Sequence, residues 1–109
     1  MNLGHTRVGG VDVLVLPIRR LDADTALEFK AVLANLPLGE GPLVADLTMV
    51  DFVDSMGIGA LLGCMRRQHE KGSTIRLCGL QPALTAIFEI LKLHRVFEIY
   101  ETRPEAVAG

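Results

Sequence analysis

Residues 50–72 read VDFVDSMGIGALLGCMRRQHEKG, and they change period partway through. Val50, Phe52 and Val53 end an extended apolar run that begins at Leu43. A polar pair, Asp54-Ser55, follows. From Met56 the apolar residues recur at helical spacing: Ile58, Leu61, Leu62 and Met65 fall at i, i+3, i+4 and i+7, a predicted core stripe. Gly72 is a helix stop, with Arg67 and Lys71 placed to meet the negative end of the helix dipole. A strand that turns through two polar residues into a helix is the repeating unit of an α/β fold.

Two features of this helix admit more than one reading. Gly57, Gly59 and Gly63 each cost about 0.5–1 kcal/mol relative to alanine inside a helix. Gly59, Ala60 and Gly63 share the side away from the predicted stripe. Such a bare face serves close packing inside the fold or close approach by another protein. Ser55 stands where an N-cap belongs, and serine is among the best caps. The same place suits a phosphate, because the first backbone N–H groups and the dipole favour an anion. A hydrolase nucleophile also sits on a strand-to-helix turn, but that motif wants glycine two positions either side of the serine. Here Val53 replaces one of them, and only His94 stands as a base, so hydrolase chemistry is disfavoured.

Outward from this stretch, strands alternate with helices. VDVLVLPI (11–18) reads as a buried strand. LDADTALEFKAVLANL follows as a helix capped by Asp22 or Asp24, with Ala26, Leu27, Ala31 and Leu33 as apolar positions. PLGEGP (37–42) is a loop, and LVADLTMVDFV (43–53) a buried strand with a turn around Asp46 to Asp51. STIRLCGL (73–80) is another strand. QPALTAIFEILKL (81–93) is a helix with Pro82 at its start, where a missing N–H costs nothing. RVFEIYE (95–101) is a last short strand, and TRPEAVAG a short helix or frayed tail. The order β-α-β-α-β-α-β predicts a mostly parallel sheet with covering helices, as one domain over 1–109; the expected α/β architecture is a mixed, mostly parallel sheet of four to five strands covered by about four helices.

Composition narrows the function. A net charge of −2 supplies no basic field for nucleic acid. Cys64 and Cys78 form no CxxC pair and His5, His69 and His94 are scattered, so no metal site is expected and the thiols read as reduced core residues. No apolar run approaches the roughly 20 residues of a membrane span, and the N-terminus lacks a signal core. A cytoplasmic protein without cofactor is the expectation.

DFVDSMGIGALLG resembles the signature of STAS domains, the sulfate-transporter and anti-sigma-factor-antagonist family. Asp54, Ser55, Gly57, Ile58 and Gly59 match its pattern. LVADLTMVDFVDS is similar to the family's third strand with its acidic turn, LDADTA to the opening of its first helix, and GSTIRLCGLQPALTAIFEILKLHRVFEIYET to the elements after the signature. The likeness covers nearly the whole chain and points to single-domain anti-sigma factor antagonists.

The resemblance implies a STAS fold and a partner-switching mechanism without catalysis of its own. The unphosphorylated antagonist binds an anti-sigma factor that is also a serine kinase of the GHKL type, freeing a sigma factor. The kinase phosphorylates the serine after the signature aspartate, here Ser55, and the complex separates. A PP2C-type phosphatase resets it. Some members act on regulators of secretion or biofilm formation instead. The implied partner surface comprises Asp22, Asp24, Asp54, Met56, Gly57, Gly59, Ala60 and Gly63. Two positions depart from the pattern. Met56 replaces a second hydroxyl residue, leaving Ser55 as the sole acceptor of the motif. Arg19 and Arg20 stand where a glycine and an acid are usual, which alters the charge of the partner-facing rim. The same fold also serves as a non-switching STAS subunit of membrane lipid or solute transporters.

Overall fold

The structure, a computed structural model, describes residues 1–109. Its main sheet has five strands in the order β1-β2-β4-β6-β7: β1 (Gly4–Val8), β2 (Val11–Val15), β4 (Leu43–Asp46), β6 (Ile75–Cys78) and β7 (Glu98–Tyr100). A two-residue pair, β3 (Arg20–Leu21) with β5 (Phe52–Val53), forms a separate parallel ladder. The helices are α1 (Ala23–Ala34), α2 (Ser55–Glu70), α3 (Pro82–Ile90) and α4 (Arg103–Ala108), with a 3-10 turn at Leu93–Arg95.

The expected parallel sheet is present: β2–β4, β4–β6 and β6–β7 all pair parallel. The expected order lacked β1, which pairs antiparallel with β2. GHTRV is polar and almost wholly exposed, so no apolar alternation announces it. Its register comes from the Gly9-Gly10 turn, where φ is +54° and +81°, as a two-residue hairpin loop with both central residues left-handed requires. The C-terminal segment is a helix, not a frayed tail. Thr102 caps it, and the Arg103 guanidinium binds the buried Asp46 carboxylate at 2.9 and 2.7 Å.

Alternation along β4 divides the interior. Leu43 and Ala45 enter a core of 21 buried residues shared with α1, α2 and α3, and Val44 enters a smaller one with Val11, Val13, Cys78 and Ala106 of α4. In the larger core Phe88 and Phe97 lie 6.1 Å apart. Both cysteines are buried and unpaired, and burial pushes each thiol up to about 11.

Two helix faces differ from expectation. On α1 the buried residues are Ala26, Phe29 and Leu33, whereas Leu27 is 67% exposed and Ala31 is also exposed. Phe29 is the larger apolar residue, so its burial sets the rotation of the helix. On α2 the buried line is Gly57, Ala60, Leu61, Cys64 and Gln68. Ile58, Leu62 and Met65 flank the core only partly buried. Gln68 can lie inside because its amide donates to the Gly41 and Thr74 carbonyls.

Candidate partner-binding site at the start of α2

Ser55 is not the cap of α2. That role belongs to Asp54, whose Oδ1 accepts the Met56 and Gly57 N–H groups at 2.9 and 3.0 Å. Its Oδ2 accepts the Ala23 N–H of α1 at 3.2 Å. One carboxylate thus satisfies orphan donors at the starts of both helices and holds the two N-termini side by side. Ser55 is the first helical residue, exposed, and its hydroxyl makes no hydrogen bond within the chain.

The neighbourhood is acidic, and its cations are engaged. Asp22 caps α1 through the Asp24 and Thr25 N–H groups in a capping box. A hydrogen bond from Arg20, with the Asp24 and Thr25 amides, holds the Asp22 carboxyl below its usual range despite some desolvation. Arg20 also lies over the Phe52 ring, 4.0 Å from its centroid. Arg19 binds Asp51 at 2.6 and 2.9 Å. The two arginines therefore do not turn this rim basic, because each is held by an acid. Asp24 stays exposed in the first turn of α1.

The glycines of the signature separate into two kinds. A Cβ on Gly57 would run into the Leu21 carbonyl oxygen and lie 2.7 Å from Val53 Cγ2. Gly57 is therefore bare because α2 starts hard against β3 and β5. The expectation that it faces a partner does not hold, nor does it for Ala60, which is 1% exposed. A Cβ on Gly59 or Gly63 would meet nothing within 4 Å. Close packing inside the fold does not explain those two. Met56 is 47% exposed beside Ser55. Of the eight expected residues, Asp22, Asp24, Asp54, Met56, Gly59 and Gly63 thus line the outer side of the α1–α2 end. His94, the remaining candidate base, lies by Phe88 and Ile99 and makes no hydrogen bond to Ser55.

No helix is long and apolar enough to cross a membrane, and no group of three His, Cys, Asp or Glu side chains could hold a metal ion. With a solvent-facing serine on an acid-capped helix over a mixed sheet, the chain belongs to the STAS domain family, whose pattern residues 6–106 match. It is 34% identical over 86 residues to the anti-sigma-B factor antagonist of Listeria monocytogenes, covering 78% of this chain and 75% of that one. An anti-sigma factor antagonist from Mycobacterium paratuberculosis superposes with a TM-score of 0.79 at 23% identity, over 98% of this chain and 91% of that one. The same fold occurs inside the murine anion transporter Solute Carrier 26 family member A9, with a TM-score of 0.77 at 22% identity, over 94% of this chain and 18% of that one.

Proposed function

We propose that this protein is an anti-sigma factor antagonist controlled by phosphorylation of Ser55. The observation that carries this reading is the freedom of the Ser55 hydroxyl. It stands exposed at the first position of α2, spared from capping by Asp54. In the unphosphorylated state the start of α2 docks on an anti-sigma factor that is a serine kinase of the GHKL type. Asp22, Asp24 and Asp54 frame the contact, Met56 supplies an adaptable apolar knob, and Gly59 and Gly63 admit a close approach. A serine hydroxyl is cheap to bury if it gains one hydrogen bond.

The kinase transfers the γ-phosphoryl group of ATP to Ser55 Oγ, which loses its proton, and ADP leaves. The product carries about −1.5 to −2 charges. The Met56 and Gly57 amides that would receive an anion are already taken by Asp54. Arg19 and Arg20 are held by Asp51 and Asp22. The new charge therefore gains little from its own chain and acts on the partner. Burying it unpaired costs several kcal/mol, and about 2.7 kcal/mol already weakens binding a hundredfold. A PP2C-type phosphatase restores the serine. All of this takes place in the cytoplasm, and the protein catalyses nothing itself.

The intact mass of the protein from its own cells, beside a Ser55→Ala version, tests the reading. A phosphate-sized increment in the parent that disappears in the variant is the expected result. Its absence under every growth condition overturns the switch and favours a non-switching subunit of a transporter complex. Co-purification with an ATPase and a permease would then identify such a complex.

A further inference from the structure

The outer surface made by α1 and α2 continues past the Ser55 end into a groove of about 150 Å³. Its walls are Lys30 and Leu33 of α1 and Ala60, Gly63, Cys64 and Arg67 of α2. The floor is apolar, since Leu33, Ala60 and Cys64 are its buried members. Gly63 leaves the groove open, because a Cβ there would point into empty space. Leu27, 67% exposed, lies one turn before Lys30 on the same side of α1.

The rim is cationic and unneutralised. Lys30 and Arg67 enter none of the seven ion pairs of the protein. Both lie near enough to the Cys64 thiol to favour its ionised form, against the larger effect of burial. Lys71, also unpaired, lines the continuation of the groove toward Leu38. Glu70, the acid nearest along α2, pairs with none of these cations. The protein as a whole carries a net charge of −2, so this basic strip is a local feature against its average. It also differs from the Ser55 end, where Arg19 and Arg20 are held by acids.

We infer that the α1–α2 groove binds an acidic amphipathic segment of a protein partner, an aliphatic side chain entering over Gly63 with carboxylates received by Lys30 and Arg67. Charge complementarity selects the segment, and the single apolar pocket sets its register. The site needs no phosphate on Ser55.

The test is an amide NMR titration of the full chain with a short helical peptide bearing one leucine with glutamates a turn before and after it. Its counterpart has lysines in place of the glutamates. The glutamate peptide should shift the Lys30, Gly63, Cys64 and Arg67 amides, less so at high salt. Arg67→Glu should weaken it about tenfold. Gly63→Leu should abolish the shifts with the melting temperature kept or raised. Equal response to both peptides, or shifts elsewhere, overturns the inference. So do groove shifts raised only by phosphatidylglycerol vesicles, which mark a lipid face, or by protein concentration alone, which mark a second copy. Ser55→Asp should leave the titration unchanged. Failure here therefore leaves the Ser55 switch standing, and failure of the switch leaves the groove.

Discussion

Gly57 and Gly59 stand two residues apart on α2 and are bare for opposite reasons. Gly57 faces inward, where the Leu21 carbonyl oxygen and Val53 leave no room for a methyl group. Gly59 faces open space, as Gly63 does a turn later. The inward glycine lets the helix start close against the β3–β5 ladder, which brings Asp54 within reach of both helix N-termini. The outward glycines add nothing to that packing and lower helix propensity, which supports the partner contact proposed for them. One signature thus holds a glycine that the fold demands and others that it does not.

The largest effect is expected at Gly57. Gly57→Ala is expected to cost about 3 kcal/mol, because the obstacle is backbone and cannot swing aside; urea unfolding would measure it. A loss under 1 kcal/mol would mean that α2 shifts easily and that inward crowding is not its constraint. Asp54→Ala should cost about 2 kcal/mol, since it removes a cap and leaves the Ala23 amide without its acceptor as well. A loss no larger than that of a single cap would show that the bridge between the helices contributes nothing.

Acid sharpens the contrast between inward and outward groups. Burial works against the charge of Asp12, but hydrogen bonds from His5, the Gly39 amide and Arg7 outweigh it, so its carboxyl titrates below the usual value. Asp46 behaves alike: burial is outweighed by Thr48 and Arg103. A carboxyl depressed in the folded state contributes stability that is fully present above its unfolded pKa, about 3.9. That contribution is lost as pH falls from there through the folded values. Melting temperature should therefore decline below about pH 4, and Asp46→Asn should flatten part of that decline. The smallest effect is expected outside. Gly59→Ala should raise stability by about 0.5–1 kcal/mol, while weakening partner binding. A destabilised Gly59→Ala would erase the distinction between the two glycines.

Much of this was legible from residue pattern. β-Branched and leucine-rich runs marked β2, β4 and β6, and Pro82 marked the start of α3. Residues whose placement depends on distant partners were not. GHTRV is an edge strand with nothing to bury, so only pairing with β2 reveals it. Asp54 and Ser55 are adjacent and both are good caps; the Ala23 amide, brought in by the β3–β5 ladder, favours the aspartate. The α2 periodicity points to Ile58, Leu61, Leu62 and Met65 as its core line; Leu61 is buried, but with Gly57, Ala60 and Cys64 also turned inward the other three are left at the margin of the core. No pattern in the sequence marks Lys30 and Arg67, 37 positions apart, as walls of one groove. On α1 the spacing marks Ala26 and Leu33, and size alone places the Phe29 ring inside in preference to Leu27.

The proposed Ser55 switch requires that a charge there act on the partner and not on the fold. Calorimetric titration of the anti-sigma factor partner with the chain carrying serine, and then phosphoserine, at position 55 tests it directly. The expected result is an affinity loss of about a hundredfold or more, with the same melting temperature for both forms. Equal affinities, or a loss of binding matched by a collapse of the fold, would contradict it.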